Sequence, residues 1–197
     1  GIPMIIISTL RVLSSMKESF SEDVSRLYRE EKKYLDLIFS LHYDRETNLI
    51  REYVSPSPDY SRLLDRHINP GHTLEDAWFW IESMESQGVL SENIALISDI
   101  IKKTFDISWD NEYGGLFRFV DRKGGKPKGK TNGSSYECLV KETWNMKLWW
   151  PHSEMLYLFL KMFFLTGDDD YLSLYKKVEE YTFSTFPSDK NTEWVQI

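Results

Sequence analysis

Two helical stretches followed by an Asp-led turn and a short extended run recur along this chain. The turns open at Asp44, Asp110 and Asp189, a period of about 65 to 80 residues. A helix pair repeated at that spacing, with its turn always on one side, builds a solenoid or a closed helical toroid, because each pair buries its apolar face only against the next. The helices are readable one by one. Residues 3–18 carry Met4, Ile7 and Leu10 at helical spacing, and Ser21-Glu22-Asp23 opens a second helix bearing Val24, Leu27, Leu35, Ile38 and Phe39. A third begins at or near His72 and ends near Gly88. A fourth is capped by Ser91-Glu92-Asn93 and runs through Ile97, Ile101 and Phe105. A fifth spans about Met146 to Leu165, and a sixth covers Asp169 to Thr185. Residues 49–54 and 116–120 read as short strands.

The expected fold is therefore all-α, with 1–197 as one partial toroid domain of three helix pairs joined by short hairpin-like turns. Three pairs make an arc, since a ring of about twelve helices needs roughly twice this length. The inner helix of each pair is expected to carry the site residues. Uncovered inner faces of such an arc favour association.

Composition narrows the function classes. A hydrophobic fraction of 41% beside 28% charged residues suits a globular core, and a formal net charge of -7 without a basic tract argues against nucleic acid. The apolar opening, residues 2–7, meets Arg11 and Lys17 too soon for a membrane span, and it lacks the basic start and cleavage site of a signal peptide. Cys138 is the single cysteine, which excludes an internal disulfide framework and fits a reducing, cytoplasmic setting. Aromatic residues make up 15% and include seven Trp, enough for flat stacking surfaces of the kind sugars use. Residues 123–133 read as a mobile Gly- and Lys-rich surface loop. Lys123-Gly124-Gly125-Lys126 lacks the spacing of a phosphate-binding loop.

Two stretches carry chemistry. In Asn69-Pro70-Gly71-His72-Thr73-Leu74-Glu75 a helix starts with an imidazole at its mouth and a carboxylate three residues on, so Glu75 can reach or orient His72. A helix N-terminus disfavours a charged imidazole and attracts anions, which suits proton transfer. An ordinary capped helix start can look the same. The second stretch is Lys147-Leu148-Trp149-Trp150-Pro151-His152-Ser153-Glu154. Here a Trp pair beside an ammonium and a carboxylate offers a sugar platform, one Trp facing a cleft and the other packing away. Trp78 and Trp80 read as core residues. His72, Glu75, His152 and Glu154 are of types that zinc or manganese accept, but no metal-site spacing supports one, and no metal is expected.

Asn-Pro-Gly-His-Thr-Leu-Glu, the Asp110 turn with Gly114-Gly115-Leu116-Phe117, the Lys147–Glu154 stretch and Glu180-Tyr181-Thr182-Phe183 together resemble the N-acylglucosamine 2-epimerase (renin-binding protein) family, in its order and spacing. The resemblance implies an (α/α)6 barrel with the active site in the mouth of the ring. It also implies interconversion of N-acetylglucosamine and N-acetylmannosamine by inversion at C2. C2 lies beside the C1 aldehyde of the open-chain sugar, so its proton leaves as an enolate forms, and histidine suits both taking and returning it. By that resemblance His72 is one catalytic group and Glu75 holds its tautomer. Arg66, Lys147, Trp150, His152 and Glu154 then line the sugar pocket. No cofactor is required, ATP or another nucleotide remains open as an activator, and the whole protein is a homodimer acting on a small amino sugar.

The family's partner histidine and a further arginine have no counterpart here: His42 and His67 fall outside the matching positions. The chain is thus expected to be a fragment from the middle to the C-terminal part, inactive or incomplete alone. A related aldose–ketose isomerase, a disaccharide 2-epimerase, and a non-catalytic sugar- or protein-binding half-toroid are the rival readings.

Overall fold

In the computed structural model, which describes residues 1–55, 57–188 and 193–196, seven α-helices occur among the described residues. They are α1 (Ile2–Ser19), α2 (Ser25–Leu37), α3 (Pro70–Ser86), α4 (Leu90–Ser108), α5 (Ser135–Thr143), α6 (Trp149–Thr166) and α7 (Asp169–Thr185). α1 packs on α2, α3 on α4, and α6 on α7, while α3 lies between α1 and α6. The result is two rows, with α1, α3 and α6 side by side and α2, α4 and α7 behind them. This is the arc of three α/α pairs that the repeat requires.

The core follows from which faces are apolar. Ile7, Leu35, Leu74, Trp80, Ile97, Ile101, Phe159, Tyr171 and Val178 join one buried cluster drawn from all six paired helices. Burying each such side chain stabilises the fold by about 1.5–3 kcal/mol relative to exposure. A carboxyl group sits among these helices. The Glu31 carboxylate of α2 is fully buried and accepts hydrogen bonds from Ser14 Oγ of α1 at 2.9 Å and Ser83 Oγ of α3 at 2.6 Å. It pins three helices in register.

The extended runs are shorter than the sequence implies. β1 (Tyr43–Asp44) pairs antiparallel with β2 (Leu49–Ile50), and β3 (His67–Ile68) pairs antiparallel with β4 (Val120–Asp121). After Arg51 N–H donates to His42 O the chain leaves the ladder, so 51–54 form no strand. The Asp-led turns share a mechanism. Asp44 Oδ1 accepts from Glu46 N–H, and Asp110 Oδ1 accepts from Glu112 and Tyr113 N–H. In the second turn Gly114 and Gly115 adopt φ of +77° and +82°, and a Cβ on either would come within 2.7 Å of the Tyr181 ring. The third turn, at Asp189, lies outside the described residues.

Several boundaries differ. α3 starts at Pro70, and α4 starts after Val89 rather than at Ser91. α2 runs into a π-helical turn, Ile38–His42. α6 begins at Trp149, not Met146, because the Met146 N–H is used to close the turn after α5 on Thr143 O. Pro151 is tolerated there because first-turn N–H groups have no helical partner. α5 itself was not expected, although Ser134 and Glu137 form a capping box that marks its start. The 123–133 loop is tied down: Leu63 N–H donates to Lys130 O, Lys130 N–H to Ser61 O, and Lys128 N–H to Asp121.

Apolar side chains are left exposed at both ends of the arc: Val12, Met16 and Phe20 on or beside α1, and Phe164 and Phe183 on α6 and α7. No helix among the described residues is long and apolar enough to cross a membrane.

Candidate active site

Where α3 and α6 begin, their first turns meet. Asn69 caps α3, its Oδ1 accepting the His72 N–H at 3.2 Å. Pro70 fills the first helical position, where no N–H is needed. Gly71 lets α6 close in: a Cβ there would lie 2.9 Å from the Trp150 ring and 3.1 Å from Pro151. The Asn-Pro-Gly-His run is thus a device that sets His72 beside Trp150, with ring centroids 5.8 Å apart.

Together they wall a cavity of about 410 Å³. Glu52, Tyr53, Phe117, Arg118 and Tyr136 complete the part of its lining that matters for chemistry. His72 Nδ1 lies 2.9 Å from Glu52 Oε2. Burial works to raise the Glu52 carboxyl, but the hydrogen bond from His72 and the positive charge nearby outweigh it and bring the group down to about 2. Glu52 is therefore ionised, Nδ1–H donates to it, and Nε2 is left with no protein partner among the described residues. An imidazole so held presents a basic nitrogen to the cavity.

The sequence-derived site residues separate. His72 and Trp150 line the cavity. Glu75 does not hold Nδ1; Glu52 does. Glu75 sits one turn further along α3, where burial and the nearby Glu154 push its carboxyl up. Glu154 accepts the Trp78 Nε1–H at 2.8 Å. Arg66 is turned away and clamped on Asp121 at 2.8 and 2.6 Å. Lys147 is paired with Asp110 at 2.7 Å across the Phe117 ring. His152 is fully buried: Nδ1–H donates to Leu148 O at 2.6 Å, and Nε2 accepts the Leu116 N–H at 3.0 Å. Burial lowers it to about 4, so it is a neutral structural group. Of the Trp pair, Trp149 packs on Trp194, and Trp80 is in the core.

Glu52, Arg118 and Tyr136 escaped the sequence reading. Glu52 approaches His72 only through folding, so no local pattern marks it. The capping box of Ser134 and Glu137 marks the start of the helix that carries Tyr136, but not its place in the site. Its hydroxyl donates to Nε2 of His67, whose Nδ1–H is given to Leu64 O. Among the described residues no group of three or more His, Cys, Asp or Glu is arranged to hold a metal ion.

This arc of helix pairs, with its site at the helix mouths, is the architecture of the (α/α)6 toroids. A sugar epimerase from a ruminal bacterium superposes with a TM-score of 0.71 at 16% identity, over 97% of this chain and 44% of that one. Cellobiose 2-epimerase from Bacillus thermoamylovorans does so at 0.68 and 14%, over 97% and 44%. Within that architecture the chain belongs to the N-acylglucosamine 2-epimerase (GlcNAc 2-epimerase) family, whose profile matches residues 18–197. It is 33% identical to N-acylglucosamine 2-epimerase of Mus musculus over 195 residues, 98% of this chain. It spans 43% of that protein's length.

Proposed function

We propose that the chain carries one proton-transfer group of a sugar 2-epimerase, acting on N-acetylglucosamine and N-acetylmannosamine. The observation that carries this reading is His72, with Nδ1 committed to Glu52 and Nε2 open to a cavity walled by Trp150. An open-chain amino sugar laid on Trp150 would bring its C2 proton to Nε2. The C2–H electron pair moves into the C1–C2 bond, the carbonyl pair moves onto the C1 oxygen, and an enolate results. Return of a proton to the opposite face completes inversion. A redox cofactor is not needed for that step, because no net oxidation occurs; a nucleotide activator stays an open proposal.

Inversion calls for a second group on the far face. His42 is engaged with Arg51 O, His67 with Leu64 O and Tyr136, and His152 with Leu148 O and the Leu116 N–H. That engagement favours a second reading, in which this chain binds the sugar and exchanges or merely holds it without inverting it.

Proton NMR of N-acetylmannosamine in D2O separates the two. Deuterium entering C2 with the native chain, and a loss of about 10²–10⁴-fold with His72→Ala, supports the proton-transfer reading. Sugar binding without exchange by a folded chain supports the second. Neither binding nor exchange overturns both.

A further inference from the structure

The Tyr136 hydroxyl ends a hydrogen-bond chain whose direction is fixed from its buried end. The Leu64 carbonyl can only accept, so His67 Nδ1, 3.0 Å away, carries a proton. His67 is fully buried and burial lowers its imidazole, so the ring is neutral and Nε2 is bare. Tyr136 lies 3.1 Å from that nitrogen and gives it the one proton a phenol has. Burial first, and then the charge of Glu52, raise the Tyr136 hydroxyl, so it keeps that proton. The two rings are also seated, edge to face at 5.5 Å between centroids, with Phe119 at 6.1 Å from one and 6.2 Å from the other. What the Tyr136 oxygen has left to offer is lone pairs. A group that ordinarily works both ways is thereby made an acceptor.

Tyr136 lines the same cavity as His72. Glu52, which holds His72 Nδ1, is near enough for its charge to act on Tyr136. The part of the sugar that Tyr136 meets is therefore close to the reacting carbon. The C1 oxygen is a poor match, because it accepts hydrogen bonds in the aldehyde and gains negative charge in the enolate. The acylamino group on C2 is a good one, because its N–H only donates. We propose that Tyr136 accepts the N–H of the C2 acylamino group and so holds C2 in place for His72. His67 is the positioning residue, since its tautomer sets the direction of the Tyr136 hydroxyl. The inference rests on reading the cavity as an N-acyl sugar site and names the residue that recognises the substituent. It also removes Tyr136 as an acid toward the C1 oxygen.

The test is calorimetric titration of the native chain and Tyr136→Phe with two probes, N-acetylmannosamine and 2-O-acetylmannose. In the second an ester oxygen replaces the amide N–H and the acetyl group stays. Circular dichroism checks the variant for folding. The native chain should bind the amide about tenfold or more tighter than the ester, which loses the donor and sets lone pair against lone pair. Tyr136→Phe should bind the two alike. Equal binding of the two by the native chain overturns this inference and leaves the sugar-site reading standing. A preference for the amide that survives Tyr136→Phe overturns the role of Tyr136. If neither probe binds the native chain, the sugar-site reading falls and this inference falls with it. Nitrogen NMR of His67 checks the direction of the chain without any variant. Nδ1 should carry the proton and Nε2 should resonate as a bare nitrogen. A neutral His67 protonated at Nε2 overturns the inference, because the Tyr136 proton would then be free to point into the cavity.

Discussion

Glu52 and His72, 20 residues apart in sequence, meet at 2.9 Å between Oε2 and Nδ1. One comes from the chain leaving a two-residue strand and the other from the first turn of a helix. Their contact fixes which imidazole nitrogen is free. Glu52→Gln removes the charge and leaves the shape. C2 exchange with N-acetylmannosamine is expected to fall by about 10²-fold, with sugar affinity unchanged. An equal loss in affinity would mean that Glu52 binds the sugar instead of positioning His72.

Gly71 sets the spacing between α3 and Trp150. Gly71→Ala places a methyl group 2.9 Å from the Trp150 ring. The ring or α6 must shift, at a cost of about 1–3 kcal/mol. Urea unfolding should show that loss, and sugar binding should weaken because the His72–Trp150 wall opens. A variant as stable as the native chain would show that α6 is not seated as described.

Glu31 holds α1, α2 and α3 through Ser14 and Ser83. Glu31→Ala strands two buried hydroxyls and opens a cavity, for a loss of about 3 kcal/mol. Ser14→Ala and Ser83→Ala should cost about 1 kcal/mol each. Chemical denaturation of the three variants orders them. If Glu31→Ala proves no worse than either serine variant, the carboxylate is not the hub.

Stability should depend on pH through His152. Burial holds its imidazole down at about 4, so the unfolded chain takes up a proton below about 6.5 while the folded chain does not. The unfolded state then binds more protons, and stability falls as pH drops from about 6.5 to about 4, by about 3 kcal/mol at most. The neutral His67, likewise lowered by burial, adds in the same direction. Melting temperatures at pH 7 and pH 5 should converge in His152→Gln relative to the native chain. An unchanged difference would show that His152 titrates normally.

The helices and their pairing were legible because they depend on local periodicity. Met4, Ile7, Ile97 and Phe105 repeat at the spacing that one buried face requires, and Asp44 and Asp110 close their turns through bonds to residues two or three on. The cavity was legible only in part. His72 and Trp150 announce themselves through Asn-Pro-Gly and Pro151, whose effects are local. Arg66, Lys147 and His152 share the residue types of a sugar site, yet Asp121, Asp110 and the Leu116 backbone claim them through contacts 36 to 55 residues away in sequence. Glu52 and Arg118 enter the site by the same long-range route. Residue type fixes what a side chain can do, and its partner decides what it does.

The tautomer of His72 decides whether it can take the C2 proton, and nitrogen NMR of its side chain reads that state directly. In the native chain, at a pH where the imidazole is neutral, Nδ1 should carry the proton and Nε2 should resonate as a bare nitrogen, with Glu52→Gln shifting the balance between tautomers. A neutral His72 protonated at Nε2 would contradict the account, because the nitrogen facing the cavity would then have no lone pair to accept the C2 proton.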